Sequence, residues 1–469
     1  MRIFIFLLCN FIATQLYAEQ HWFEKFKQSA SDAELYRLLY AMPKGADLHN
    51  HLSGAGFPEW WLELALAQEA RGYIYYTKVA INNCKPYGGN QFGNNPYLLY
   101  FRNILQSNYQ KLSECEKSEY ARLQDLTPKQ KAGWLNSLKL NTAHEGREEF
   151  FQTHWQRLND LFLNHYIQAE ILVRNMQAFG AEGLNYLEID CTPVGVKPDG
   201  SFFTREEVYQ YYRQRLKQRD ARDSGVTVRF HYALLRFSPT AERELEEMYA
   251  FVDAHRDMYV AIDMVGREDN DKGHPLRFLP LLRKLRAQYP DIELSIHAGE
   301  VDEPNAHIRN TLLLGANRIG HGVNLLSDPD TLLHMRHGKY LVEINLISNL
   351  LLEYVDDYSQ HIFPELLRTE VPVALSTDDR GMWDSNLTDE YFVAVKEFNL
   401  SWRELKLLGN NSLQFAFVED KVKAKLLSGF AAKFDKFEKR FVSKGLASLP
   451  TVLPKKRQFI CDRYQLCDR

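Results

Sequence analysis

The chain has 469 residues, 45% hydrophobic and 25% charged, enough for one large domain or two to three ordinary ones around a substantial core. Its net charge is −4 and no long basic run offsets it, which argues against nonspecific nucleic-acid binding. Beyond the N-terminus, no apolar run approaches the roughly 20 residues a membrane-spanning helix needs, so no membrane anchor is expected. Met1-Arg2 carries positive charge, an apolar run extends from Ile3 to about Leu16, and Leu16-Tyr17-Ala18 places a small residue for cleavage. Residues 1–18 therefore read as a secretory signal peptide, and the mature protein is expected to be secreted or periplasmic. Cys9 follows the bulky Leu8 after a very short apolar stretch and is not read as a lipid anchor.

Export permits disulfides. Cys84 and Cys115 share one polar segment, Cys461 and Cys467 bracket a short C-terminal loop, and Cys191 is left over at a strand end. Those two pairings are the natural ones, although five thiols permit others. With no CxxC spacing, a cysteine-based zinc site is not expected.

Ser31-x-x-Glu34 is a capping box that opens a short helix through Met42, within an N-terminal helical segment at 19–43. Strand-like runs follow at Ala46–Leu52, Leu184–Cys191, Val226–Leu235, Tyr259–Met264, Ile292–His297, Arg318–His321, Tyr340–Asn345 and Pro372–Ser376. Several are nearly continuous apolar runs, as in parallel strands covered on both faces. Helical patterns lie between them at Arg205–Asp220, Thr240–His255, Leu276–Gln288 and Asn305–Leu314. Eight strand–helix repeats is the count of a (β/α)8 barrel, and a doubly wound sheet has a similar local rhythm. About 130 residues separate the first two strands, far more than a crossover needs. The piece from about 70 to 141 reads as an inserted subdomain, and a long helix from about Glu148 to Gly180 is expected to lead back. After Asp379 the chain turns helical, with a second capping box at Ser401-x-x-Glu404 and an apolar stripe over Val418–Phe441. The barrel is expected to span 44–445, and 446–469, with its Pro-Lys-Lys-Arg, reads as a solvated tail.

The polar residues fall at the C-terminal ends of these strands. His49 and His51 are two apart, so period-two geometry points both to one face. His297 ends the fifth strand, His321 the sixth, and Asp378-Asp379 the eighth. Strand C-termini are where barrel enzymes keep their chemistry. Three His and one Asp supply ligands for a divalent metal and leave room for a water. Glu300, three residues past His297, is placed to exchange protons with whatever the metal holds. Each motif alone is weak: an HxH pair, a turn histidine or an Asp pair is commonly structural. The ordered set, each at its own strand end, is what points to a metal site.

These residues carry a resemblance. Pro43-Lys44-Gly45-Ala46-Asp47-Leu48-His49-Asn50-His51-Leu52-Ser53-Gly54 resembles the opening motif of the adenosine deaminases, in the amidohydrolase superfamily. His297-Ala298-Gly299-Glu300, Arg318-Ile319-Gly320-His321-Gly322 and Ser376-Thr377-Asp378-Asp379 resemble the later motifs, in the family's order. Ile262 to Asp269 and Ile347-Ser348-Asn349 are similar to signatures of the secreted branch, the adenosine deaminase-related growth factors. The resemblance spans roughly residues 31 to 440. It implies an α/β fold, a (β/α)8 TIM barrel of the metal-dependent hydrolase type, with an insertion after strand 1 and extra terminal helices. It implies one zinc ion per subunit on His49, His51, His297 and Asp378. It implies deamination of adenosine, and of 2′-deoxyadenosine, to inosine and ammonia, with zinc-bound hydroxide attacking C6. Glu300, His321 and Asp378 are then the catalytic residues: Glu300 protonates N1, and His321 positions and deprotonates the water. Asp379 meets N7, and the Gly266 backbone N–H meets N3. A homodimer is expected by family analogy.

The departures concern the sugar end. Ser53 stands where many relatives carry an acidic residue that grips the ribose. Arg267 brings a cation to that side, suited to an acidic substituent or to pairing with Glu268 or Asp269. Arg380 replaces the usual Pro after the Asp pair. Glu188 is read as lining the pocket with Ser53, and Trp155 is a further candidate that the site does not depend on. Two other readings follow: the same metal chemistry on an adenine nucleotide, a modified adenosine or adenine, and a signalling or binding protein with vestigial activity.

Overall fold

The computed structural model describes residues 22–82, 84, 99–142, 145–301, 305–451 and 455–467. The expected signal peptide lies outside the described residues. Among them, no helix is long and apolar enough to cross a membrane.

Among the described residues there are eleven strands. β1 is Gly45–Asp47, and β2 (Tyr75–Lys78), β3 (Asn103–Leu105) and β4 (Tyr120–Arg122) fall in the insertion. The rest are β5 (Leu184–Asp190), β6 (Thr227–Leu235), β7 (Tyr259–Val265), β8 (Glu293–Ala298), β9 (Arg318–His321), β10 (Leu341–Ile344) and β11 (Val373–Leu375). One eight-stranded parallel sheet runs β1-β5-β6-β7-β8-β9-β10-β11. Its two ends meet just beyond the strands, where the Asp378 N–H donates to the His49 carbonyl at 2.9 Å and an Asn50–Asp378 bridge forms. The sheet is thus a (β/α)8 barrel rather than an open doubly wound sheet.

The helices between the strands follow the expected pattern with shorter ends. Arg205–Arg215, Ala241–Ala254, Leu279–Gln288 and His307–Leu314 alternate with strands around the barrel. Both halves of the Ser31/Glu34 and Ser401/Glu404 capping boxes form, opening Asp32–Ala41 and Trp402–Gln414. The N-terminal segment packs onto its own chain: Trp22 Nε1 donates to Glu438 and Tyr36 Oη to Asp389. The insertion builds a three-stranded antiparallel sheet, β3-β2-β4, and contains the Cys84–Cys115 disulfide. Cys461 bonds Cys467, and Cys191 is free and buried.

Two expectations need correction. The helix expected from Glu148 to Gly180 is broken. Arg147–Glu149 passes through a π-turn, Phe150–His154, to Trp155–Leu158, and the chain turns at Asn159, whose φ is +37°. Asn164 then caps a new helix, His165–Ala181, by accepting from the Tyr166 and Ile167 N–H groups. Periodicity missed the break because both halves carry apolar faces, whereas a side-chain cap is what separates them. Nor is the C-terminus a solvated tail: Ile460 is buried, and Arg457 pairs with Glu59 at 2.8 Å and stacks on the Phe57 ring.

Candidate metal centre and active site

His49 and His51 leave the end of β1 and aim at the barrel axis with His297 from β8 and Asp378 just past β11. His51 Nε2 lies 3.1 Å from Asp378 Oδ1 and 3.2 Å from His297 Nε2, and His49 Nε2 lies 3.5 Å from Asp378 Oδ1. His49, His297, His321 and Asp378 bring ligand atoms within 4.8 Å of one another, and His51, Asp378 and Asp379 form an overlapping group. Gly320 makes room for this convergence, since a Cβ there would lie 2.6 Å from His49 Cε1. His321 and Asp378 have φ of +65° and +53°, left-handed values that cost about 1–3 kcal/mol each and cluster at functional sites.

Each of the three expected ligand histidines is held from behind by its own carboxylate. His49 Nδ1 bonds Glu343 at 2.9 Å and His297 Nδ1 bonds Asp263 at 3.1 Å, while His51 Nδ1 lies 3.0 Å from Asp190 Oδ2. That arrangement fixes the rings with Nε2 turned inward, as metal-binding histidines require. His49 Nε2 and His321 Nε2 are buried and have no hydrogen-bond partner among the described residues. Burial alone would depress His49 and His51. Asp378 and Glu343 around the first, and Asp379, Asp190 and Asp378 around the second, raise both well above the ordinary range. Burial, reinforced by those two rings, holds His297 well below it. A buried cluster of nitrogen and carboxylate donors that draws positive charge fits a divalent cation, which would take the place of the protons on His49 and His51.

Glu300 is 6% exposed, and its Oε1 lies 3.7 Å from His321 Nε2. Burial, with the Asp378 and Glu268 charges, pushes its carboxyl up to about 8, so at neutral pH it holds a proton to give. Its backbone N–H donates to Glu268 at 2.7 Å, and Glu268 lies 3.2 Å from His307 Nδ1 and 3.8 Å from Arg236. The Asn349 and Asn345 amides sit 3.0 and 3.4 Å from His321 Nδ1 and fix that ring. Asp379 lies against the backbone of Gly54, where a Cβ would come within 1.5 Å of its Oδ1. Burial and the Asp378 charge push the Asp379 carboxyl well above its ordinary range.

His51, His297, Glu300, Asp378 and Asp379 line a cavity of about 950 Å³ together with Ser53, Gly266, Trp155 and Gln168. Glu188 comes out differently from the sequence reading, and Trp155, Arg267 and Arg380 find their places. Glu188 does not line the cavity. It shares the inward face of β5 with Asp190 but sits two residues, about 6–7 Å, deeper. There it pairs with Arg318 at 2.7 Å and His231 at 2.8 Å, which overcome burial and bring its carboxyl to about 2. Trp155, the less favoured candidate, does line the cavity. Arg267 reaches the rim, yet its guanidinium is bound by Glu148 at 2.7 and 3.0 Å and by Asp269 at 2.9 and 3.1 Å. Arg380 is buried outside the site, 3.4 Å from Glu182 and over the Phe179 ring. Asp190, Asp263 and Glu343 were not singled out in sequence. Their signal was present all the same: each is an acidic residue at or near the C-terminal end of an otherwise apolar strand.

A (β/α)8 barrel with a histidine–aspartate cradle at its C-terminal rim defines a metal-dependent hydrolase architecture. The family described as "Adenosine deaminase" matches residues 118–433, and the chain belongs to that family. It is 28% identical over 275 residues to an adenosine deaminase of Lutzomyia longipalpis, covering 55% of this chain and 52% of that protein. It is 28% identical over 253 residues to the N6-methyl-AMP deaminase-L of Xenopus laevis, covering 54% of this chain and 71% of that one. The chain thus spans about half the length of some curated relatives it matches. Arabidopsis ADAL, solved with GMP, superposes with a TM-score of 0.59 at 22% identity, over 84% of this chain and 98% of its own. That likeness shows the fold.

Proposed function

We propose that the protein is a zinc-dependent deaminase that converts adenosine, and 2′-deoxyadenosine, to inosine-type products and ammonia. One observation carries the reading: Glu300, a carboxyl raised to about 8, stands beside a cradle of three back-supported histidines and Asp378. A zinc ion on His49, His51, His297 and Asp378 would lower the pKa of a coordinated water to about 7, so that hydroxide is present at neutral pH.

The remaining chemistry belongs to side chains. Glu300 gives its proton to N1 of the purine, which makes C6 electrophilic. His321, held well below its ordinary pKa by burial, is neutral and accepts a proton from the attacking water. The oxygen adds at C6, the amino group leaves as ammonia once protonated, and C6 becomes a carbonyl. Asp379, retaining its proton, donates to N7, and the Gly266 backbone N–H faces N3.

Arg267 argues for a nucleoside over a nucleotide, because Glu148 and Asp269 already neutralise it. The N6-methyl-AMP deaminase relatives make a modified adenine nucleotide the second reading. Placement in the secreted branch, with export, rests on the leader sequence and on two disulfides, which persist in oxidising compartments. A homodimer remains part of the proposal. The N-terminal helices would not be its sole purpose, since Phe23, Leu38 and Leu39 are buried in the subunit's own core. The test is turnover of adenosine by purified protein of measured metal content, followed by ultraviolet absorbance. Protein with one zinc per chain that leaves adenosine intact would sink the proposal.

A further inference from the structure

One wall of the cavity holds a polar pair that the chemistry at C6 does not use. Gln168 stands on the first turn of His165–Ala181 and is 5% exposed. Its amide orientation is determined, because Nε2 donates to the Phe162 carbonyl at 3.0 Å and a carbonyl can only accept. The other N–H donates to Ser53 Oγ at 2.7 Å. Oε1 is then buried with no hydrogen-bond partner among the described residues, in a side chain that lines the cavity. A buried carbonyl left without a donor is costly, and a ligand N–H or O–H removes that cost. Ser53 has accepted the Gln168 N–H, so its own O–H is available to donate. Side by side, the two residues offer one acceptor and one donor, both uncharged.

Charge at the rim points the same way. Arg267 is held by Glu148 and Asp269. Lys272 lines the rim beside Asp271, and both are exposed to solvent. No cation among the cavity-lining residues is buried against the Ser53–Gln168 wall. A phosphate there would meet the Gln168 carbonyl oxygen without a compensating charge, whereas a hydroxyl meets a matched acceptor and donor.

Resting on the deaminase reading above, we propose that Gln168, supported by Ser53, is the specificity-determining contact for a sugar hydroxyl. It makes the protein select a neutral nucleoside over its 5′-phosphate. The pair also explains how the sugar end is read without an acidic residue at position 53.

The test is steady-state kinetics of the zinc-loaded wild type, Gln168→Met and Ser53→Ala on six substrates. These are adenosine, the 2′-, 3′- and 5′-deoxyadenosines, adenosine 5′-phosphate and adenine, with thermal melting as the folding control. Wild type should prefer adenosine to its 5′-phosphate in kcat/KM. Gln168→Met should raise KM for adenosine roughly ten- to a hundredfold with kcat within about threefold. For the one deoxynucleoside lacking the hydroxyl that is read, and for adenine, wild type and Gln168→Met should have the same KM. Ser53→Ala should move KM in the same direction by less. Loss by one common factor on all six substrates, unchanged KM for adenosine, or a wild-type preference for the phosphate would each overturn the proposal alone. A wild type inert toward all six would overturn the deaminase reading and this proposal with it.

Discussion

The rim of the barrel and its interior one layer down are both crowded with buried charge, yet they are built to opposite ends. In the lower layer Arg318 joins Glu188 at 2.7 Å and Glu343 at 2.5 Å, His231 bonds Glu188 at 2.8 Å, and the Phe417 ring lies 3.8 Å from the guanidinium. Charges there meet opposite charges at ion-pair distance. At the rim, His49 Nε2, His321 Nε2, Asp379 Oδ1 and Gln168 Oε1 are buried without partners among the described residues. Leaving such groups unmet lowers stability, and a metal at the cradle and a substrate against the cavity wall would satisfy them. Glu343 links the layers, because it pairs with Arg318 below and orients His49 above.

If that contrast is right, rim variants change turnover before stability and lower-layer variants do the reverse. The largest effect is expected for Glu300→Gln, which keeps the shape and removes the transferable proton. kcat should fall by about 10²–10⁴ with an unchanged melting temperature, and near-wild-type turnover would remove Glu300 from the mechanism. Arg318→Met comes next: two buried carboxylates lose their cation, and urea denaturation should show a loss of about 3–5 kcal/mol. A variant as stable as wild type would show that the lower layer is not held by this ion network.

Smaller still is Asp190→Asn, which weakens the support behind His51. Zinc affinity, measured by chelator competition, should drop about 10- to 100-fold, while melting of the metal-free protein changes little. Unaltered affinity would make Asp190 a bystander. The pH profile separates the regions most gently. Glu300 has a raised pKa, so its donor form predominates below about 8 and is lost as pH rises through that value. A cation in the adjacent cradle draws the value down. The profile of kcat/KM should therefore descend about tenfold per pH unit from a limb no higher than about pH 8. A profile still rising beyond that pH would exclude Glu300 as the donor.

How far the site was legible depended on which residues one asked about. His49, His51, His297, His321, Asp378, Glu300 and Asp379 could be read because each closes or follows a recognisable strand and the strands recur in order. Glu188 was placed in the pocket and Asp190 was overlooked for one reason. Period two tells which face a residue takes, not how deep along the axis it lies. Arg267 showed the limit for charge, since the acids that neutralise it come from Glu148 in another element and from Asp269 nearby. Gln168 had no signal at all: an amide on a helix becomes informative only when Ser53 and the Phe162 carbonyl fix its direction.

By itself, then, the sequence determined the eight barrel strands, the capped helices and the residues that converge on the cradle. These are local or ordinal properties, carried by side-chain period, cap chemistry and the order of motifs. Closure of the sheet, the carboxylate behind each histidine, the break at Asn159 and the uncharged wall of Ser53 and Gln168 were decided by tertiary structure. They depend on groups far apart in the chain meeting at hydrogen-bond distance, and no local pattern encodes that distance.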